Sequence, residues 1–482
     1  MDSHRATDRR YINAREAYGF GMANGGMIVN RVVIGTYVNF FLVNVFRINP
    51  SAVATMFLLE GFWDIFNDPL MGILVDRTRT RWGKMRPWLI VAPLPMALAT
   101  VALCAGPLLL QNPSENAISK IVYMAVAYTL WETCFTMCDV PYWGISAAVS
   151  PNPQDRTRII TYARFISTFF GGLPQFVIPI LLDTSNKPGG PDIRNIFFGI
   201  GLVSGIVGMG FFSLAGIVAR ERVAQTSDAP SIRECLTCIV QNRPLRLLML
   251  KDIVGALAGV SSTFTMYFYL DVIGSASSSI IVGIPSGFTN LFAYTCLPLF
   301  KKWLKNNNKK IIYTSQVTNA ALNAIAYLLG MRNHSNTVFM VVLMMIKQGL
   351  GELFNGVDTV IPTEMVAETV DYMEWTTGRR TEGVSFAAMS FIGQFSGVLA
   401  RSLGAFLLGP IGYRTAAGNA TIPQSEFTKQ GIWFMFMAVP VVFRLLSMIP
   451  LAFYDLVGPK REQMLEELSI QRAQRAKEAE EA

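Results

Sequence analysis

Residues 61–88 read GFWDIFNDPLMGILVDRTRTRWGKMRPW. The run opens as an apolar stretch that nevertheless holds Asp64, Asn67 and Asp68. It closes on a loop carrying Arg77, Arg79, Arg81, Lys84 and Arg86. An apolar stretch able to cross ~30 Å of hydrocarbon, followed at once by a cluster of cations, predicts a membrane-spanning helix with a cytoplasmic loop behind it. Ionised groups inside such a span cost ~2.5–3.5 kcal/mol each on insertion scales, so Asp64 and Asp68 mark a candidate site.

The same pattern recurs outward from this segment. Twelve apolar stretches are predicted as spanning helices, at 18–45, 51–75, 87–110, 118–148, 160–182, 195–219, 245–274, 278–300, 310–331, 337–363, 382–410 and 429–456. Helices fit because backbone groups in lipid must pair within their own segment. The composition agrees: the 482 residues are 51% hydrophobic and only 15% charged, against about 25% charged in soluble domains. The mean hydropathy is +0.37. The net charge of +8 does not point to nucleic acid, because the cations fall between apolar runs. Besides the 77–86 loop, they gather in KKWLKNNNKK from Lys301 and as five arginines in 220–246. The alternate loops are poor in Lys and Arg, so both termini are expected in the cytoplasm and the chain in a cell membrane, plasma or inner. The opening MDSHRATDRRYINAR has no apolar signal core. The longest polar interruption, 220–243, divides the chain into an amino-terminal six-helix bundle (1–219) and a second one (244–456). A tail at 457–482 reads as a solvated helix.

Asp64, Asn67 and Asp68 stand at i, i+3 and i+4, on one helical face. Two carboxylates and an amide oxygen make an all-oxygen pocket suited to a small hard cation, with Asp64 and Asp68 the candidate Na⁺ ligands. A cation or a proton would relieve their repulsion. The plainer alternative is a cap near a helix end, kinked by Pro69. In LWETCFTMCDVPYWG, from Leu130, Thr136, Asp139 and Trp143 share a face. A carboxylate can accept two neighbouring sugar hydroxyls, and an indole can stack on a pyranose. Pro141 is expected to break this helix locally, and Arg164, at the start of the fifth span, is the nearest counter-charge. The alternative is an Asp–Arg pair with Trp at the membrane interface.

Further along, MVAETVDYMEWTTGRRTEG from Met365 carries mixed charges that could latch the second half. Asp252, Glu352, Asp358 and Arg401 lie inside later spans, as cavity residues or as halves of buried pairs. Cys104, Cys134, Cys138 and Cys296 sit in apolar runs as small hydrophobes. Cys235 and Cys238 form a CxxC without a second pair or a His cluster. His4 and His334 are the two histidines. No cofactor is expected, and no nucleophile–base motif or phosphate loop suggests an enzyme.

Two six-helix halves around a central loop resemble the major facilitator superfamily. Within it, WDIFNDPLMG with RWGKMRPW, DVPYWG, and AETVDYMEWTTGRRTEG together are similar to the glycoside–pentoside–hexuronide:cation symporters, specifically the melibiose permease group. The resemblance runs over nearly the whole chain. It implies an all-α membrane fold of twelve transmembrane helices and symport of a sugar-like solute with Na⁺, Li⁺ or H⁺. It places the cation at Asp64, Asn67, Asp68 and Thr136, and the sugar at Asp139, Trp143 and Arg164. Gly72, Asp76 and Arg77 take the GxxxDR spacing of the facilitator loop, a conformational latch rather than a substrate site. Two departures stand out. The first span, YGFGMANGGM, has Gly25 and Gly26 where melibiose-type permeases offer a Lys–Asp pair to the sugar, with Asn30 one turn on as a replacement hydroxyl partner. The eleventh, SFIGQFSG, has Gln394 where many members carry a lysine near the cation. A rival reading is a lysophospholipid-type lipid symporter of the same fold. Another is a membrane sensor, against which stands the lack of a large soluble domain. Solute, ion and oligomeric state are left open at this level.

Overall fold

The computed structural model describes residues 11–150, 152–222, 240–333, 336–378, 382–415 and 423–481. Cys235, Cys238, His4, His334 and Arg379–Thr381 of the second-half motif lie outside them, as does most of the 220–243 loop. Each predicted span falls on helix. The first unit's helices are α1 (Ala14–Val45), α2 (Pro50–Arg77), α3 (Arg86–Val91 continued by Pro93–Leu109), α4 (Ile118–Ala148), α5 (Pro153–Ser185) and α6 (Ile193–Val218). The second unit holds α7 (Arg243–Ile273), α8 (Ser278–Trp303), α9 (Asn308–Asn333), α10 (Thr337–Thr377), α11 (Glu382–Leu407) and α12 (Glu426–Ala452). The tail forms α13 (Pro459–Glu481). Seven of these helices are apolar and long enough to span a membrane by that measure alone, eight when the bent α8 is counted as one span. Others, such as α2 with its carboxylates, fall short because they carry polar groups within the span.

Local chemistry sets the starts. Asn13 and Glu16 form a reciprocal capping box on α1. Asn49, Asn152, Asp192, Asn242, Asn336 and Ser425 each accept a backbone N–H at the head of their helix. One expectation about proline needs correction: α4 runs unbroken through Pro141, as α2 does through Pro69. Neighbouring helices re-satisfy the groups a proline frees inside a bundle.

An internal repeat shows in the backbone where it is faint in the sequence. A π-helical stretch ends α1 (Phe41–Val45) and likewise ends α7 (Phe268–Ile273). Another interrupts the early part of α6 (Val203–Gly208) and of α12 (Phe434–Ala438). Such widened turns rarely arise by chance and recur at functional positions.

The chain separates into two compact units. The first comprises Met1–Ser227 with two short segments, Ser275–Ser277 and Ala405–Gln424; the second holds the remainder. Within the first unit, Asp183 accepts the N–H groups of Ala276 and Ser277 at 2.7 and 2.9 Å.

Candidate functional site

In the first unit α2 and α4 are joined by a polar ladder that follows the helical repeat. Thr129 donates to Glu60, the Trp63 indole donates to Thr133 at 3.0 Å, and Asn67 Nδ2 donates to Thr136 Oγ1 at 2.9 Å. The Thr136 hydroxyl passes its own hydrogen to Asp68 Oδ1 at 3.0 Å. Asn67, Thr136 and Asp68 therefore form one hydrogen-bonded chain across two helices. Asp64 lies a turn before Asp68 and is half-buried like it.

One turn further along α4, Asp139 Oδ1 accepts the Trp143 indole N–H at 3.1 Å. The Arg164 guanidinium lies over the Trp143 ring, 4.6 Å from its centroid. Arg31 lies over the Phe135 ring at 4.9 Å. The charges of Arg31, Asp68 and Arg164 all act on the Asp139 carboxylate. α5 begins at Pro153, so Arg164 sits well inside that helix rather than at its start. The indole face expected for a sugar ring already carries Arg164 on one side. Asn30 is placed differently from the expectation. It is fully buried, donates to Thr100 Oγ1 at 2.8 Å and accepts the Trp131 indole at 3.1 Å. That amide ties α1 to α3 and α4; the neighbouring Arg31 is the α1 residue that meets the Asp139 cluster.

The two glycines of α1 have a steric cause. A Cβ on Gly26 would come within 2.1 Å of the Gly208 carbonyl oxygen, and one on Gly25 within 2.9 Å of the Phe170 ring. α1 lies so close to α5 and α6 that no side chain fits there, which is how small residues serve membrane helix contacts.

Gly72, Asp76 and Arg77 lie in the last turns of α2. Asp76 pairs with Lys84. The loop is fastened by a residue the sequence did not single out: the Glu221 carboxylate accepts the backbone N–H groups of Lys84, Met85 and Arg86 at 2.9, 2.7 and 3.0 Å. Gly83 is required there, with φ of 109° and no room for a Cβ against Glu221. Next to it, Arg222 pairs with Glu16 at 2.8 Å.

The second unit answers with its own clamp. α10 continues through the VAETVDYMEWTT segment to Thr377, and α13 lies against it. Arg461 pairs with Glu368 at 2.8 Å, Arg472 with Asp371 at 2.8 Å and Glu374 at 2.5 Å, and Trp375 donates to Glu467 at 2.7 Å. Met464 and Leu468 are buried beneath it. The tail is thus a docked amphipathic helix, a correction to the solvated one expected.

Also in the second unit, α7, α9, α10, α11 and α12 enclose a cavity of about 510 Å³. Its wall carries Lys251, Lys347 and Arg444. Lys251 donates to Asp252 at 2.6 Å; Arg444 donates to Gln316 at 3.1 Å and lies 3.8 Å from Asp358. An adjoining cavity of about 200 Å³ shares Asn323, Lys347 and Arg444 and adds Glu352 and Asp358. Asp252 and Asp358 are therefore both cavity residues and halves of ion pairs. Among the described residues no group of three or more His, Cys, Asp or Glu converges as a metal site.

Residues 18–458 match the family model described as MFS/sugar transport protein. The chain belongs to that family. It is a multi-span membrane transporter of the major facilitator superfamily, not an enzyme. Among its relatives, the inner membrane symporter YicJ of Escherichia coli (strain K12) is 29% identical over 469 residues, covering 95% of each chain. The glucuronide carrier protein homolog of the same organism is 27% identical, covering 89% of each. The isoprimeverose transporter of Lactiplantibacillus pentosus is 26% identical, covering 95% of this chain and 92% of its own. The fold matches solved transporters at lower identity. The nucleoside transporter NupG superposes with a TM-score of 0.58 at 12% identity, covering 92% of this chain and all of NupG. A bacterial homologue of ferroportin gives 0.63 at 13%, covering 91% and 98%.

Several site groups of this sugar-family transporter escaped the sequence reading. Arg31, Lys251, Lys347 and Arg444 all carried the signal that marked Asp64, an ionisable group inside an apolar span. Glu60 carried it too, whereas Glu221 carried none: its role comes from the α2–α3 loop, which only the fold brings near.

Proposed function

We propose that the chain carries a sugar-like solute into the cell together with a cation, Na⁺, Li⁺ or H⁺, by alternating access. The supporting observation is the hydrogen-bonded chain Asn67–Thr136–Asp68 beside the Asp139–Trp143–Arg164 cluster. It sets oxygen ligands for a cation on α2 and α4 next to a carboxylate and a guanidinium able to bind hydroxyls. Asp64 and Asp68 supply the negative charge, Asn67 and Thr136 the neutral oxygens. Cation and solute interact through the adjacent carboxylates, so each raises the other's affinity by the same factor. Arg31 joins the solute group in place of Asn30, whose amide is committed to Thr100 and Trp131. Relatives named as symporters and as carriers of glucuronide and isoprimeverose support the same reading. The charged wall of the second-unit cavity disfavours an acyl chain and hence a lipid cargo. By the distribution of Lys and Arg, both termini face the cytoplasm.

The test is uptake into proteoliposomes against a panel of glycosides and hexuronides, with Na⁺ and pH gradients imposed separately. Accumulation driven by one of these gradients is expected. Solute equilibration unaffected by either gradient would leave a uniporter instead.

A further inference from the structure

The second unit holds a cavity that the symport reading leaves unused, and its wall carries Lys251, Lys347 and Arg444. Lys347 lies in the run MVVLMMIKQGLG of α10. An ammonium in such a run is tolerated where it faces a water-filled cavity or meets a partner. Here it faces both cavities. Among the described residues it makes no hydrogen bond, and no carboxylate lies within 4.0 Å of it. The charges that act on it are Arg444 and, from beyond ion-pair distance, Glu352.

Arg444 faces the same two cavities. One of its nitrogens donates to Gln316 and lies 3.8 Å from Asp358, while Nε is buried without a partner. The other cation on this wall, Lys251, is satisfied by Asp252. Two neighbouring cations, each with donors to spare, therefore point at one space. Cations so placed repel one another unless an anion joins them. The Ser396 hydroxyl, buried without a partner, and the Asn323 amide stand in the same wall, ready for neutral hydroxyls. The volume lies within the ~300–1,000 Å³ typical of small-molecule sites.

We propose that Lys347 and Arg444 form an anion subsite that receives the oxyanion of an acidic sugar, a carboxylate or a phosphate. The inference rests on the sugar-transport reading and narrows it to charged sugars. Arg444 offers the planar, forked donors that match an oxyanion, and Lys347 the compact charge. Glu352 balances Lys347 while the subsite is empty and is displaced electrostatically when the anion arrives. A neutral glycoside would leave the Lys347 ammonium and the Arg444 Nε without a charged acceptor.

The experiment measures binding of three probes to the purified full-length protein: methyl glucoside, methyl glucuronide and glucose 6-phosphate. The variants are Lys347→Gln, Lys347→Arg and Arg444→Gln, each checked for an unchanged melting temperature. The parent should bind one acidic probe at least tenfold more tightly than methyl glucoside, and which one identifies the oxyanion. Lys347→Gln and Arg444→Gln should each lose that preference tenfold or more, with methyl glucoside held within about twofold. Lys347→Arg should retain it. A parent that favours the neutral glycoside overturns the proposal, as do variants that weaken all probes equally. If the parent binds none of the three, the sugar reading itself falls, and this inference with it.

Discussion

The two units carry matching helices but different site chemistry. In the first, Asp64, Asp68 and Asp139 stand on α2 and α4, and much of the polar surface is already joined through Glu60–Thr129, Trp63–Thr133 and Asn67–Thr136–Asp68. In the second, cations stand on α7, α10 and α12 around an open cavity of about 510 Å³. A ladder of short hydrogen bonds holds its members in fixed positions, which suits ligands for a small ion, whose binding depends on ligand placement. A roomy cavity with spare donors suits a larger group. The clamps differ in the same manner. Glu221 fastens the first unit through three backbone N–H groups, whereas α13 fastens the second through side-chain ion pairs. The repeat has kept the helix geometry and let the polar residues diverge.

The comparison breaks most visibly at Asp68. Asp68→Asn keeps a hydrogen-bond acceptor for Thr136 but removes the charge, so concentrative uptake should fall to simple equilibration while solute binding survives. Gradient-driven uptake in vesicles is the readout. Full accumulation by this variant would remove the first unit's carboxylates from the coupling role. A second, smaller effect belongs to Asp139→Ala and Trp143→Ala. Each should weaken solute affinity tenfold or more, the equivalent of a charge-assisted hydrogen bond at ~1.5–3 kcal/mol. Titration calorimetry would decide, and normal affinity in both would shift the solute site away from α4.

The clamps give a sharper contrast. Glu221→Ala strips three N–H groups of their acceptor, at about 1–3 kcal/mol for a part-buried group. Lys460→Ala removes the part-exposed Lys460–Asp455 ion pair of α13, worth about 0–1 kcal/mol. The melting temperature should therefore drop more for Glu221→Ala, and equal drops would contradict the distinction. The smallest effect is a pH dependence of the tail. Burial pushes the Asp455 carboxyl up, but the hydrogen bond and charge of Lys460 outweigh it and hold Asp455 below the ordinary carboxylate range. Glu467 is likewise held low, by Gln463 and then by Trp375. Groups depressed in the folded state lend their stability above the ordinary carboxylate range and lose it as pH falls through the lowered values. α13 should loosen in acid and not in alkali. A variant retaining Trp375 as its single tryptophan would report this by its emission, and release on the alkaline side would refute it.

The membrane fold was legible because its signals are local. Hydropathy and loop charge follow from each segment's own transfer into lipid, so the twelve spans could be located without tertiary knowledge. Asp64, Asn67 and Asp68 were legible for the same reason: helical spacing alone puts them on one face, and the cost of ionised groups in lipid flags them. What only the tertiary structure decided is which helices these residues meet. Asn30 and Arg31 are adjacent in sequence, yet packing turned the first into an α1–α3–α4 tie and the second toward Asp139. Gly25 and Gly26 looked like a missing binding pair until the approach of Gly208 and Phe170 showed that no side chain could stand there. Glu221 and the arginines of α13 act on partners more than ninety residues away in the chain. The energy of such contacts depends on distance and burial, and neither is set before the helices assemble.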